Sequence, residues 1–201
     1  MSFSFDEQKH LYSLDGQALP SLTQMLAADG WSAYIRDVPV EVLNAKRDFG
    51  TALHQALLWA EYGYDYDAAF QPHAFEWLKI CRRMNWIRQG HAIWKNAEMP
   101  MVAHVEGLCF GMTPDRAHPE AVVELKATYS PHESHNVQTA MQVLGMGYDR
   151  KTPRFVAYFD KRGFRKLIPC SSKVTRDGRT LDVWIEAERL IFEYALALEV
   201  A

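Results

Sequence analysis

The sequence predicts an α/β fold in which a mixed central β-sheet is flanked by helices, formed by a single domain over residues 1–201. Two patterns carry this expectation. Apolar residues recur at helical spacing through much of the first half, and after Trp94 the texture changes to short β-type runs broken by turns. Helices then alternate with strands to the C-terminus. Residues 1–95 accordingly read as a mainly helical part, and 96–201 as the sheet with its flanking helices. A length of 201 residues with 48% hydrophobic and 23% charged composition suits a domain with a substantial core.

The elements follow in order. His10 to Asp15 reads as a strand entering a turn at Asp15-Gly16. Ser21 is placed to cap a short helix after Pro20. From Val40 to Trp59 the residues Val42, Leu43, Phe49, Leu53 and Leu57 fall at helical spacing, and Pro72 to His91 carries a second such pattern. Glu98–Glu106, Leu108–Ala117 and Ala121–Ala127 read as three strands with turns at Gly107 and His118-Pro119. Ser134–Gly147 is predicted helical, Arg154–Phe159 and Phe164–Pro169 form a strand pair across Lys161-Arg162-Gly163, and Arg179–Leu198 closes the chain as a helix.

Composition narrows the classes of function. No apolar run approaches the roughly 20 residues needed to cross a bilayer, and Met1-Ser-Phe-Ser-Phe-Asp-Glu lacks the basic start and apolar stretch of a secretory signal. The expected location is the cytoplasm, with no membrane partner. The three cysteines, Cys81, Cys109 and Cys170, contain no C-x-x-C pair and read as buried free thiols. Three cysteines cannot supply four-cysteine ligation of an iron–sulfur cluster. The net charge of −3 conceals an asymmetry: the window Arg150–Arg179 carries +8 and the rest of the chain −11. Such a window fits a local phosphate-binding surface, with a solvated strand–loop face as the plainer alternative.

The sharpest local feature is Gly111-Met-Thr-Pro-Asp115-Arg followed nine residues later by Glu124-Leu-Lys126. On a strand Glu124 and Lys126 share one face, and a hairpin neighbour running from Phe110 would bring Asp115 beside Glu124. Two carboxylates and an ammonium make a hard-oxygen site for Mg²⁺ or Mn²⁺ suited to phosphodiester hydrolysis. The plainer alternative is an exposed cross-strand face. The neighbours Ala121-Val-Val and Leu125 are apolar, however, and charged groups embedded in such a strand need a partner or a metal.

Over most of its length the chain resembles the RecB-like and phage-exonuclease branch of the PD-(D/E)XK nuclease superfamily. The resemblance lies in Phe5-Asp-Glu-Gln-Lys-His-Leu-Tyr12 with Leu19-Pro-Ser-Leu-Thr, in Gly50-Thr-Ala-Leu-His54, in Glu98-Met-Pro, in Gly111-x-x-Pro-Asp115 with Glu124-Leu-Lys126, and in Val137-Gln138-Thr. It implies a restriction-endonuclease-like α/β/α sandwich and a Mg²⁺- or Mn²⁺-dependent deoxyribonuclease, with an exonuclease of recombination or DNA processing favoured. It further implies that His54, Asp115, Glu124 and the Leu125 carbonyl hold metal, that Lys126 orients or activates the attacking water, and that Gln138 holds substrate or active-site groups. Glu98 would support a second metal or the substrate end. Arg150, Lys151, Arg154, Lys161, Arg162, Arg165 and Lys166 would track DNA. A single-strand annealing or recombination protein and a second copy of the chain are further implied partners.

Plainer alternatives stand beside these assignments: a satisfied helix histidine for His54, a helix-surface residue for Gln138 and a solvated strand end for Glu98. Where the branch often carries tyrosine, four residues after its glutamine, this chain has Gln142. Two further readings share the fold: a catalytically silent nucleic-acid-binding module and a structure-specific endonuclease. His132-Glu-Ser-His135 lacks the H-E-x-x-H spacing of a zinc site. Trp31, Trp77, Trp86 and Trp94, beside Leu78 and Ile80, read as core in preference to base-stacking surface.

Overall fold

A computed structural model describes residues 2–7, 9–31, 38–128 and 130–199, with side chains described as far as Tyr194. Gln8, within the opening motif, lies outside the described residues. The chain begins with a three-stranded antiparallel sheet, β1 (Phe3–Asp6), β2 (Leu11–Leu14) and β3 (Gln17–Leu19). Ser21 then caps α1 (Leu22–Ala28) through a reciprocal capping box, its hydroxyl accepting from the Gln24 amide while Gln24 Oε1 accepts from the Ser21 amide.

The long α2 (Val40–Tyr62) ends at Gly63, whose φ of +72° stops the helix in the left-handed region. A 3-10 turn at Ala68–Phe70 leads into α3 (Gln71–Arg83). The predicted helix Pro72–His91 is shorter than expected. Asn85 turns left-handed, and Gln89-Gly90, both at positive φ, join β4 (Ile87–Arg88) to β5 (His91–Ala92) as a tight hairpin. With β1–β3, this makes the N-terminal part less exclusively helical than the sequence indicated.

The expected strand Glu98–Glu106 begins only at Met101, as β6 (Met101–Val105), and pairs across Glu106-Gly107 with β7 (Leu108–Met112). The run predicted from Leu108 to Ala117 breaks at Thr113-Pro114, because proline offers no amide to a ladder. Beyond the break, β8 (Arg116–His118) belongs to a different sheet. That sheet contains β9 (Ala121–Lys126), β10 (Arg154–Asp160) and β11 (Gly163–Pro169) in the order β11-β10-β9-β8. β9 and β10 run parallel, joined through α4 (Glu133–Gly145), and the outer pairs are antiparallel. The sheet is therefore mixed and the fold is mixed α/β.

The expected helix from Arg179 also starts later. Asp177-Gly178 turns a hairpin between β12 (Lys173–Arg176) and β13 (Arg179–Asp182), and α5 (Val183–Glu199) follows.

Strand alternation divides the core. Ala121, Val123 and Leu125 of β9, with Ala157 and Phe159 of β10, pack against Leu53 and Leu57 of α2 and Ala74 and Trp77 of α3. On the other face Val122 meets Val143 of α4. A further cluster joins α1, α4 and α5 to the β6–β7 hairpin. Helices thus cover both faces of the four-stranded sheet, and residues 1–95 contribute to the same cores as the rest. Trp31, Trp77, Trp86 and Trp94 are all buried, as the core reading required. Of the cysteines only Cys81 is buried; Cys109 and Cys170 are partly exposed, Cys109 beside His104 on the β6–β7 hairpin. No helix of the described residues is long and apolar enough to cross a membrane.

Candidate metal centre

The break between β7 and β8 delivers Asp115 to the head of β8, the true antiparallel neighbour of β9. Its Oδ2 accepts the Leu125 amide at 2.6 Å, which ties the carboxylate to β9 directly. Glu98 reaches the same place from the segment before β6. Its amide donates to the Pro114 carbonyl at 2.9 Å, and its φ of +53° is a strained conformation for a non-glycine residue, of the kind that accumulates at functional positions. His54 arrives from α2, its Nδ1 lying 3.1 Å from Glu98 Oε1 and 3.4 Å from Asp115 Oδ1. One ligand atom each from His54, Glu98 and Asp115 all fall within 4.8 Å of one another.

On β9 the period of two puts Glu124 and Lys126 on the face opposite Val123 and Leu125. Glu124 is buried and held by three donors. Gln138 Nε2 (2.6 Å) and Lys126 Nζ (2.7 Å) meet its Oε1, and Gln142 Nε2 (2.8 Å) meets its Oε2. Gln138 and Gln142 stand one turn apart on α4, so the helix presents two amides to one carboxylate. Lys126 Nζ also donates to Gln138 Oε1 at 3.0 Å.

Behind the cluster lies an ion network that the sequence reading did not identify. Arg116 is fully buried. Its Nε lies 2.7 Å from Glu61 Oε2, and its Nη1 donates to Glu98 Oε1 at 2.9 Å and to the Asp115 carbonyl at 2.6 Å. Trp77 Nε1 donates to the same Glu61. A signal for Glu61 was present, since it continues the buried stripe Leu53, Leu57 at intervals of four, where a charge demands a partner.

The electrostatics are those of crowded carboxylates. Burial and the neighbouring Glu124 carboxylate hold the Asp115 pKa well above the usual aspartate value. Burial alone would raise Glu98 too, but His54 and Arg116 outweigh it and bring Glu98 below the ordinary glutamate value. Burial opposes charge on His54, yet Asp115 and Glu98 overcome it and raise the imidazole pKa to about 9. The centre therefore attracts positive charge. Two carboxylates and an imidazole are also a donor set that fits a divalent cation such as Mn²⁺ or, with more oxygen ligands, Mg²⁺.

These groups open into a cleft of about 230 Å³, whose lining includes Glu98, Asp115, Glu124, Lys126, Gln138 and Gln142. Tyr12, on the far wall, crosses Gly111 so closely that a Cβ there would sit 2.0 Å from its ring. The glycine of the Gly111-x-x-Pro-Asp115 motif is thus what lets the N-terminal sheet close the cleft. Tyr12 Oη and Thr113 Oγ1 are 2.7 Å apart and fix that wall.

The sequence-predicted residues separate accordingly. His54, Glu98, Asp115, Glu124, Lys126 and Gln138 come together, Leu125 entering through its amide. The basic residues are more dispersed in role. Lys151, Lys161 and Arg162 are exposed, Arg150 pairs with Glu188, Arg165 pairs with Asp160, and Lys166 lies 5.6 Å from the Tyr158 ring centre. Arg154 does not belong on a DNA-facing surface. It is buried, donating to the Asn136 carbonyl at 2.7 Å and the Ser171 carbonyl at 2.8 Å beneath the Trp184 ring. His132 caps α4 and His135 hydrogen-bonds Tyr158, so the H-E-S-H run serves the fold. Comparison of the chain with protein-family models, curated proteins and solved structures returned no match.

Proposed function

We propose that this chain is a metal-dependent nuclease that hydrolyses phosphodiester bonds in DNA, built on a restriction-endonuclease-like α/β/α sandwich. The observation that carries the proposal is the meeting of a His54–Glu98–Asp115 donor set with the buried Glu124 and its partner Lys126, at a cleft lined by Glu98, Asp115, Glu124 and Lys126. The motif resemblance to PD-(D/E)XK nucleases assigns the same residues. His54, Glu98 and Asp115 would hold Mg²⁺ or Mn²⁺, with Glu124 sharing a carboxylate oxygen. Such an ion supplies Lewis-acid polarisation of a phosphoryl oxygen and makes an attacking water more acidic.

The chain's own groups do the rest. Lys126, steadied by Glu124 and Gln138, carries the ammonium that orients the attacking water and offsets charge developing on the phosphate. Arg116, neutralised by Glu61, steers Glu98 toward His54. The Tyr12 wall narrows the cleft around the scissile nucleotide, and the exposed Lys151, Lys161 and Arg162 would hold backbone phosphates.

The test is digestion of end-labelled linear and covalently closed circular duplex DNA with Mg²⁺, with Mn²⁺ and with EDTA. Cleavage with either metal and none with EDTA is expected. Loss of linear DNA alone identifies the exonuclease, and nicking of circles the structure-specific endonuclease. Tight DNA binding without cleavage of any substrate under either metal would refute the enzyme and leave a silent binding module.

A further inference from the structure

The two glutamines on α4 differ in one respect. The Glu124 carboxylate can only accept, so both glutamines must turn their amide nitrogens toward it, and this fixes the position of each carbonyl oxygen. Gln138 Oε1 receives Lys126. Gln142 Oε1 receives nothing: it is buried without a partner, on a side chain only 2% exposed that lines the cleft. Flipping the amide would not help, since the oxygen would then face Glu124. A buried acceptor left unmade is costly, and most buried polar groups in native folds are paired with protein or ordered water.

From this we infer that Gln142 is the substrate-recognising residue of the cleft, its Oε1 accepting a hydrogen bond from a donor on the bound nucleotide. Phosphodiester groups carry no donor at neutral pH, so the donor is a nucleobase N–H or a sugar hydroxyl. Gln138, with both ends of its amide engaged by Glu124 and Lys126, is a positioning residue and makes no such contact. The inference rests on the proposed nuclease reading for its substrate class, but not on cleavage for its test.

Gln138→Met and Gln142→Met each remove one amide donor from Glu124, and only the second also removes the free acceptor. Circular dichroism establishes folding, and Mn²⁺ affinity measured by calorimetry without DNA reports the shared effect on Glu124. Binding of a labelled oligonucleotide, followed by anisotropy in EDTA, and KM against kcat with Mn²⁺ report the acceptor. Expected is a comparable change in Mn²⁺ affinity for both variants, with an additional loss of about tenfold in oligonucleotide affinity and a matching rise in KM for Gln142→Met alone, the size of one hydrogen bond. An abasic nucleotide at the cleavage position, or a phosphate blocking the terminal hydroxyl, abolishes the difference between wild type and Gln142→Met for whichever source supplies the donor. Equal losses in the two variants, or oligonucleotide binding unchanged by Gln142→Met, overturn the inference. An inactive protein whose anisotropy still separates the variants would sink only the nuclease reading. Should Gln142→Met fail to fold, Gln142→Leu carries the same comparison, and wild-type protein that binds no oligonucleotide overturns both.

Discussion

At the scale of single residues, the centre is a set of buried charges each answered by a specific partner. Asp115, Glu124 and Lys126 were legible because a strand's alternation places Glu124 and Lys126 together among apolar neighbours. Glu61 and Arg116 were not, since their pairing joins α2 to β8 and leaves no local pattern beyond a charge on an apolar stripe. His135 offers a sharp test of the packing beside this site. Burial, with Lys126 and His132 nearby, lowers its pKa to about 3. An unfolded chain therefore binds a proton below the ordinary histidine value of 6.5 that the folded chain refuses, so stability falls as pH drops from 6.5 toward 3. By pH 5 this amounts to roughly 2 kcal/mol, an order-of-magnitude figure. Urea midpoints for wild type and His135→Gln should converge as pH falls through this window. A constant gap between them would show that His135 does not titrate there.

At the scale of elements, the predicted α2, α4 and the β10–β11 pair rest on strong periodicity, and the Ser21 cap on a complete capping box. The missed strand pairs β4–β5 and β12–β13 each meet at a tight turn. Gln89-Gly90 and Asp177-Gly178 adopt positive φ at both positions, just as Asp15-Gly16 and Glu106-Gly107 do, and each closes a hairpin. Apolar spacing carried the helix reading from Pro72 through Gln89-Gly90 to His91, and the helix read from Arg179 took β13 for its first turn. The α4 end shows why helix propensity alone misleads. Alanine at Gly145 would favour the helix by about 1 kcal/mol, but its Cβ would stand 2.7 Å from Ala103 Cβ and 2.9 Å from the Phe110 ring. Gly145→Ala should therefore destabilise the fold by about 1–3 kcal/mol in urea titrations. A gain in stability would mean that α4 can lift from the β6–β7 hairpin at little cost.

At the scale of the whole molecule, a mixed α/β fold was foreseeable, whereas the strand order was not. Which strand lies beside β9 depends on Pro114 ending one ladder and on α4 returning the chain in parallel, both non-local outcomes. The result is a molecule whose candidate metal ligands come from α2, from the segment before β6 and from the residue that leads into β8, so that a cation bound there would link parts far apart in sequence. Mn²⁺ should stabilise such a fold as a ligand of the native state alone, by about 2.7 kcal/mol at a hundredfold excess over Kd. Thermal melts should show a concentration-dependent rise in Tm that EDTA reverses and Asp115→Asn abolishes. Equal rises in wild type and Asp115→Asn would place the cation elsewhere.

The most direct measurement is single-turnover cleavage of end-labelled duplex DNA by wild type and Lys126→Ala at Mn²⁺ concentrations that saturate both in thermal melts. The expected result is metal-dependent cleavage by the wild type and a rate reduced by about 10²–10⁴-fold in the variant, the range for a positioned proton-transfer group. Equal rates in the two proteins, both folded and both loaded with Mn²⁺, would contradict the assignment of the chemistry to the Glu124–Lys126 pair.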